Sequence, residues 1–319
     1  MHGNNKSTAE LREAITAGVR HIVVDSFDEL DRIDALHDEG LAAPRVQMRI
    51  TPGVYVHTHE FVSTGQNDSK FGFNLANGDA QRAVARARAA KSVQLVGVHC
   101  HIGSNVFDTD NFTKAAEVMV RFANECELPE LTLGGGLGVA YLNNETAPSI
   151  TQWASALRAA TTQLRSGVRV MVEPGRSIVA SAAVTLYEVG TIKNIPGVRT
   201  YVAVDGGMSD NPRPVLYGSG YEAFVPARTD ADRTMDARIV GKHCESGDVL
   251  IAQATLPADL RIGDVIATPV TGAYGHSMGS NYNKVPRPAV VFVHDGKARV
   301  VVRRETYDDL VRNDVTDSV

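Results

Sequence analysis

The stretch Val93–Ser104, which reads VQLVGVHCHIGS, decides the fold. Residues Val93 to His101 are mostly apolar and predict a buried strand, and polar residues gather only where that strand ends. Helical patterns lie on both sides of it, over Asp79 to Ala90 and over Asn111 to Glu125. A strand between two helices is the repeating unit of a parallel α/β sheet.

The same alternation extends in both directions along the chain. Ser7-Thr8-Ala9-Glu10 has the spacing of a capping box and opens a helix that stops at Gly18, and Ser26 with Glu29 repeats that spacing before a second helix. A further helix is predicted over Ile150 to Leu164. The other predicted strands are His21 to Asp25, Val46 to Ile50, Leu131 to Leu133 and Val168 to Val172.

Polar residues and glycines lie at the ends of three predicted strands, at Val98 to His101, Gly134 to Gly136 and Val172 to Arg176. A TIM-type β/α barrel places its active site there. An open doubly wound sheet is the alternative, but its phosphate-binding glycines usually follow the first strand. The sequence therefore favours an α/β fold with a barrel. Five of the required eight strands are found, so we expect on the order of 100 barrel residues before Met1.

The pattern changes to β-rich segments after Ser177, which predicts a second domain. We expect an incomplete cofactor-binding barrel of about five βα repeats over residues 1–178 and a β-rich domain over residues 179–319. The predicted strands of that domain are Val184 to Ile192, Thr200 to Val204, Asp236 to Val240, Val265 to Pro269 and Ala289 to Val293.

Composition indicates a globular protein with a small-molecule ligand. Hydrophobic residues make up 43% of the 319 residues and charged residues 22%, and the net charge is −5. No apolar run is long enough to span a membrane, and no basic stripe favours a nucleic-acid partner. No secretion signal is present, so the cytoplasm is expected. The three widely spaced cysteines predict neither a disulfide framework nor a clustered metal site.

Each of the polar motifs has an ordinary structural explanation when taken alone. The glycines at 134–136 would let backbone amides approach a phosphate, but a tight turn needs glycines too. His101 could stack on a ring or be a satisfied core histidine. Glu173 and Arg176 could serve a site or form a surface salt bridge. The segment Cys244 to Asp248 could be a turn after a strand.

Taken together, the motifs resemble the diaminopimelate decarboxylases of the alanine-racemase-like barrel class, most closely the actinobacterial type. The likeness spans nearly the whole chain. It runs through His2 to Ser7, His99 to Ser104, Gly134 to Gly136, Glu173 to Arg176, Asp205 to Asn211, Cys244 to Asp248, Gly272 to Tyr274 and Ser280 to Asn283.

The resemblance implies a site for pyridoxal 5'-phosphate. His101 would stack on the cofactor ring and Glu173 would face its pyridine nitrogen. Ser104 and the amides of Gly135 and Gly136 would hold the phosphate. The segment Glu173, Pro174, Gly175 and Arg176 would help them, Tyr274 would contact cofactor and substrate, and Cys244 would donate a proton across the interface of a homodimer.

The resemblance also implies a substrate, meso-diaminopimelate, which the last step of lysine biosynthesis converts to L-lysine. Ornithine-type decarboxylases share the barrel, but their substrate ends in an amine. Diaminopimelate has a far carboxylate, which Arg176 and Arg213 could clamp. Tyr217 would add a hydroxyl contact and Glu245 would bind the far ammonium. Asn105 and His276 depart from the residues that are common in the family.

The family's Schiff-base lysine lies on the first barrel strand, and the resemblance places that strand upstream of Met1. Lys6 and Lys70 belong to other family motifs, so neither is expected to replace it. We therefore interpret the sequence as an N-terminally truncated form and expect no decarboxylation by these 319 residues alone. The alternatives are a catalytically inactive regulatory or partner-binding homologue, and a decarboxylase of another basic amino acid.

Overall fold

A computed structural model describes residues 1–54 and 65–315. The chain divides into two compact units. The first comprises Met1–Val139 and Thr146–Ser177, and the second comprises Ala140–Glu145 and Ile178–Val319. None of the helices within these described residues is long and apolar enough to cross a membrane.

The first unit alternates strands and helices as the sequence predicts. Capping boxes begin the helices after Ser7 and Ser149, where each serine accepts the amide N–H of the third helical residue. The elements, in chain order, are α1 (Thr8–Thr16), β1 (Ile22–Val24), α2 (Phe27–Asp38), β2 (Arg45–Thr51), β3 (Phe73–Asn74), α3 (Asp79–Ala89), β4 (Gln94–His99), α4 (Thr109–Cys126), β5 (Glu130–Thr132), α5 (Ile150–Ala160), β6 (Arg169–Met171) and the short α6 (Arg176–Val179).

The strands of the first unit form a parallel sheet in the order β1-β2-β4-β5-β6, with the short β3 also paired to β2. This confirms the predicted α/β fold. The five predicted strands correspond to β1, β2, β4, β5 and β6, and the two-residue β3 was not predicted. The helices bury one apolar face against the sheet, and α2 does so through Leu30, Ile33 and Leu36. Burial of such faces is the main source of stability in a layered α/β unit.

The second unit is rich in β-structure, as predicted. Its elements are β7 (Val184–Ile195), β8 (Arg199–Val204), α7 (Arg213–Tyr217), β9 (Met235–Val240), β10 (Val249–Leu256), β11 (Val265–Pro269), α8 (Gly275–Met278), β12 (Val290–His294), β13 (Lys297–Val302) and α9 (Tyr307–Val311).

Five of these strands form a sheet in the order β10-β9-β8-β7-β11, in which only β8 and β9 are parallel. A separate antiparallel hairpin joins β12 and β13. Two strands, β10 and β13, were not predicted from the sequence, because each follows a turn and its apolar residues alone do not show that it pairs with a strand. Asp248 directly precedes β10, and the Asp295-Gly296 turn directly precedes β13.

Candidate active site

The sheet register brings the predicted cofactor residues to one edge. His99 of β4 is aligned with Thr132 of β5, and Thr132 is aligned with Met171 of β6. His101, Gly134 and Glu173 each follow one of these aligned residues by two positions. Since the strands are parallel, these residues all lie at the carboxyl end of the sheet, where a β/α barrel builds its site.

The three consecutive glycines after β5 lie very close to the neighbouring backbone. A Cβ added at Gly135 would lie 2.1 Å from the carbonyl oxygen of Glu173, and one at Gly136 would lie 2.1 Å from that of Gly103. The Glu173 amide donates a 2.7 Å hydrogen bond to the Gly134 carbonyl. The glycines are therefore required so that the loops after β4, β5 and β6 can meet.

His101 is held as a neutral ring. The Gly135 amide donates a 3.4 Å hydrogen bond to its Nδ1, so that nitrogen is an acceptor. Burial lowers the pKa of His101 to about 4, and the nearby Arg49 adds to the effect. An uncharged, oriented imidazole is suited to lie against a flat ring.

Ser104 and Arg176 form a polar pair beside the glycine loop. The Arg176 guanidinium donates a 2.9 Å hydrogen bond to the Ser104 hydroxyl, and Arg176 is buried at the start of α6. Pro174 and Gly175 lead from Glu173 into this helix. A hydroxyl beside a guanidinium is a donor set that suits a phosphate.

Glu173 accepts a hydrogen bond on each of its carboxylate oxygens. Nε2 of His99 lies 3.0 Å from Oε2, and Nε2 of His2 lies 3.1 Å from Oε1. Partial burial alone would raise the pKa of Glu173, but these two N–H donors outweigh it and hold the pKa well below its usual range. Glu173 is therefore an anion.

Sequence reasoning missed the role of both His2 and His99. The signal available was a second histidine at the end of the β4 strand, two residues before His101. His2, His99 and Glu173 together offer three donor atoms within 4.8 Å of one another, a spacing that a metal ion could use. Hydrogen bonding to an ionised carboxylate accounts for the contacts of His2 and His99 with Glu173 without a metal ion.

Lys6 is fully engaged elsewhere in the first unit. Its Nζ lies 2.6 Å from the Gly3 carbonyl, 2.8 Å from the Val23 carbonyl and 2.9 Å from Oε1 of Glu29. An ammonium has three N–H donors, and each has an acceptor here. Lys70 is exposed, with its Nζ 5.1 Å from the centre of the Phe71 ring.

In the second unit, Arg213 is buried at the start of α7, the helix that ends at Tyr217. Its Nη1 donates a 2.9 Å hydrogen bond to the Tyr221 hydroxyl, and its Nη2 lies 3.3 Å from the Ser219 hydroxyl. The guanidinium lies 4.3 Å from the centre of the Tyr141 ring. These contacts orient the guanidinium of Arg213 and leave further N–H groups for a carboxylate.

Cys244 and Glu245 are exposed on a turn of the second unit. The buried Asp248 accepts the amides of His243 and Met208 at 2.8 and 2.7 Å, which ties this turn to the segment 206–211. The ring of His243 also lies 2.8 Å from the Ser209 hydroxyl.

Ser209 links this turn to the segment that carries Tyr274. Its carbonyl accepts the amide of Ser280, just beyond α8. Tyr274 precedes α8 with a φ of 67°, a conformation that is uncommon for a tyrosine. The segments carrying Arg213, Cys244 and Tyr274 are thus connected through residues 206–213.

The first-unit residues fit pyridoxal 5'-phosphate by the chemistry of their donor set. Glu173 is an anion that can accept a pyridinium N–H, His101 is a neutral planar ring, and the Ser104–Arg176 pair is suited to a phosphate. The glycine loop lies beside all three groups and has no side chains to block them.

Comparisons with known proteins agree with this chemistry. The family model described as pyridoxal-dependent decarboxylase, pyridoxal binding domain, matches residues 1–180. Diaminopimelate decarboxylase of Mycobacterium tuberculosis is 46% identical over 334 aligned residues, covering 99% of this chain and 75% of the relative. That of Bacillus subtilis is also 46% identical, covering 99% and 74%. A solved diaminopimelate decarboxylase of M. jannaschii, in complex with L-lysine, matches with a TM-score of 0.90 at 34% identity, covering 99% of this chain and 74% of that one.

Proposed function

The chain belongs to the pyridoxal-dependent decarboxylase family, and we propose that its activity is the decarboxylation of meso-diaminopimelate to L-lysine with pyridoxal 5'-phosphate. One observation carries the chemistry. The ionised Glu173 lies at the carboxyl end of a parallel sheet, on the same edge as the neutral His101 and the Ser104–Arg176 pair.

Bound pyridoxal 5'-phosphate supplies an electron sink for the pair of electrons left when carbon dioxide departs. Glu173 supports that sink by accepting the ring N–H, which keeps the ring nitrogen protonated. His101 orients the ring from one face. Ser104, the amides of Gly135 and Gly136, and the Pro174–Arg176 segment hold the phosphate.

Substrate selection rests on the second unit together with Arg176. Arg213 binds the far carboxylate of the substrate, Tyr217 adds a hydroxyl contact, and Glu245 binds the far ammonium. Tyr274 contacts cofactor and substrate. A site that binds a whole amino-acid head group leaves buried polar groups unpaired when it meets a plain amine, so it rejects ornithine-like substrates.

Cys244 supplies the proton that replaces carbon dioxide. Its exposed position on a turn suits delivery to a second chain, so the active form is a homodimer with shared sites. The most direct test is a product assay on protein made from the native gene. We expect L-lysine and carbon dioxide from meso-diaminopimelate, and neither cadaverine nor putrescine from L-lysine or L-ornithine.

Two variants separate catalysis from recognition in that assay. Glu173→Ala should lower kcat by about a hundredfold or more, because the electron sink weakens while substrate contacts remain. Arg213→Ala should mainly raise KM, by about tenfold or more. Equal effects of the two variants on kcat and KM would contradict these assignments.

A second candidate function is a homologue that binds the ligands without turnover. In that homologue no Schiff base would form on Lys6, because all three donors of its ammonium are engaged. Binding of cofactor and meso-diaminopimelate by the native-gene protein, with no carbon dioxide above a cofactor-only control, would establish this alternative and exclude the decarboxylase.

A further inference from the structure

Two histidines that the family resemblance leaves without a role contact the two oxygens of Glu173. We propose that His99 and His2 are positioning residues that keep Glu173 ionised and oriented toward the pyridine nitrogen of the cofactor. The inference rests on the proposed function, because it assumes that Glu173 faces that nitrogen.

The proton positions follow from the chemistry of an ionised carboxylate, which can only accept hydrogen bonds. Nε2 of His99 must therefore carry a hydrogen. Its Nδ1 is buried and has no hydrogen-bond partner within the described part of the chain. A charged ring would leave an N–H unpaired there, and burial lowers the pKa of His99. His99 is thus a neutral donor that does not cancel the charge of Glu173.

This arrangement decides where the shared proton lies. A proton between a carboxylate and a pyridine nitrogen stays with the group of higher pKa. Because His99 and His2 hold the pKa of Glu173 down against the effect of its burial, the proton stays on the ring nitrogen. A carboxyl group without these donors would be free to rotate and would compete for that proton.

The two histidines differ in how firmly they are held. The side chain of His99 is 1% exposed, whereas that of His2 is 46% exposed. His99 is therefore the fixed donor and His2 the adjustable one. Within residues 1–54 and 65–315, the other titratable or charged groups that face Glu173 are His101, Cys100, Arg49 and the amino group of Met1. None of these groups is altered in the His99 variants, so a change in Glu173 ionisation or probe binding between a variant and the wild type reports on His99.

The test uses the full chain and pyridoxamine 5'-phosphate labelled with nitrogen-15 in its ring. This probe has the ring and phosphate of the cofactor but forms no Schiff base, so no lysine is needed. The variants are His99→Phe, which keeps a ring without a donor, His99→Gln, which keeps an N–H donor, and Glu173→Gln. The matched control is His21→Gln, because His21 makes a 3.0 Å contact with Glu130 at the opposite end of the sheet.

We expect His99→Phe to weaken probe binding by about tenfold, because a Glu173 carboxyl that His99 no longer holds can rotate away from the ring nitrogen and compete for its proton. The fraction of bound rings with a protonated nitrogen should fall for the same reason. His99→Gln should restore much of the probe affinity and of the ring protonation, and His21→Gln should match the wild type in both properties. Wild-type behaviour of His99→Phe, alongside a clear loss in Glu173→Gln, would overturn the inference and leave the proposed function intact. Failure of the wild-type chain to bind the probe would instead overturn the proposed function.

A second measurement needs no ligand. Carbon-13 NMR of side-chain carboxyls, with the Glu173 signal assigned by its loss in Glu173→Gln, follows the ionisation of Glu173 directly. We expect Glu173 to stay ionised below the usual carboxyl range in the wild type and to titrate at higher pH in His99→Phe. An unchanged titration in both His99→Phe and His2→Phe would overturn the inference even if the probe binds.

Discussion

At the scale of single residues, burial determines which charged groups can act. Lys6 and Glu29 form an ion pair with side chains that are only 2% and 1% exposed, and Lys6 also bonds to two backbone carbonyls. Burial raises the pKa of Glu29, and Lys6 opposes that shift. A lysine held in this way is structural, because leaving its partners would expose an unpaired carboxylate to the interior.

We predict that Lys6→Met lowers the free energy of unfolding by about 3–5 kcal/mol, since it leaves the charge of Glu29 buried and unpaired. Adding Glu29→Gln should recover part of the loss, because the amide removes the charge and its oxygen can still accept the Asp25 amide. Urea titrations measure both effects.

The control is Arg12→Met, which breaks the exposed ion pair with Glu39 and should lower the free energy of unfolding by less than about 1 kcal/mol.

His101 leads to a prediction about pH. Its folded pKa of about 4 lies below the ordinary value of 6.5, so the unfolded chain takes up a proton that the folded chain does not. The free energy of unfolding should therefore fall as pH drops from about 6.5 to about 4. His101→Gln should make that fall shallower, whereas replacing the exposed His294 with glutamine should not. An unchanged slope in His101→Gln would show that this ring ionises freely.

At the scale of elements, the loop after β5 is the most constrained part of the site. Three strand ends meet there, and the glycines remove the side chains that would keep them apart. The loop therefore couples the position of Glu173 to that of His101, because Gly135 touches the backbone of one and donates to the ring of the other.

We predict that Gly135→Ala disrupts the site through steric contact alone, because Gly135 does not need a left-handed backbone. The new methyl group would overlap the Glu173 carbonyl, costing about 1–3 kcal/mol of stability and most of the affinity for pyridoxamine 5'-phosphate. The control is Gly190→Ala in β7, where the nearest atom to the added Cβ is 3.8 Å away. Calorimetry of both variants should give a loss of binding for Gly135→Ala only.

At the scale of the whole molecule, the candidate residues are shared between two compact units. His101, Ser104, the glycine loop and residues 173–176 lie in the first unit, and Arg213, Cys244, Glu245 and Tyr274 lie in the second. If Cys244 serves the site of a neighbouring chain, the dimer is the catalytic unit.

We predict that mixed dimers of Cys244→Ala and Glu173→Ala regain activity. In a heterodimer, one site lacks both residues and the other lacks neither, so random mixing should restore about a quarter of the wild-type rate. The measurement is lysine formation after the two inactive variants, both made from the native gene, are unfolded and refolded together. No recovery in a sample that sedimentation shows to be dimeric would place Cys244 in the site of its own chain, or outside the site.

Much of the fold was predictable because its signals are local. The capping serines Ser7 and Ser26, the apolar strands and the glycines after β5 each act within a few residues, so five strands of the first unit and the helices between them could be predicted. The strands β10 and β13 were missed, since a turn followed by an apolar run does not indicate by itself whether the run pairs with a strand. The two-residue β3 has no sequence signal of its own.

The sequence by itself determined the α/β class, the position of the glycine loop and the residue types available for a pyridoxal phosphate site. Only the tertiary structure decided which of those residues meet. The pairing of His99 with Glu173 joins residues that lie 74 positions apart in the chain. The ion pair with Glu29 gives Lys6 a structural role, which the residues around Lys6 in the sequence do not indicate. Such contacts depend on strand register and on the closure of several loops, and no local spacing of residues specifies either.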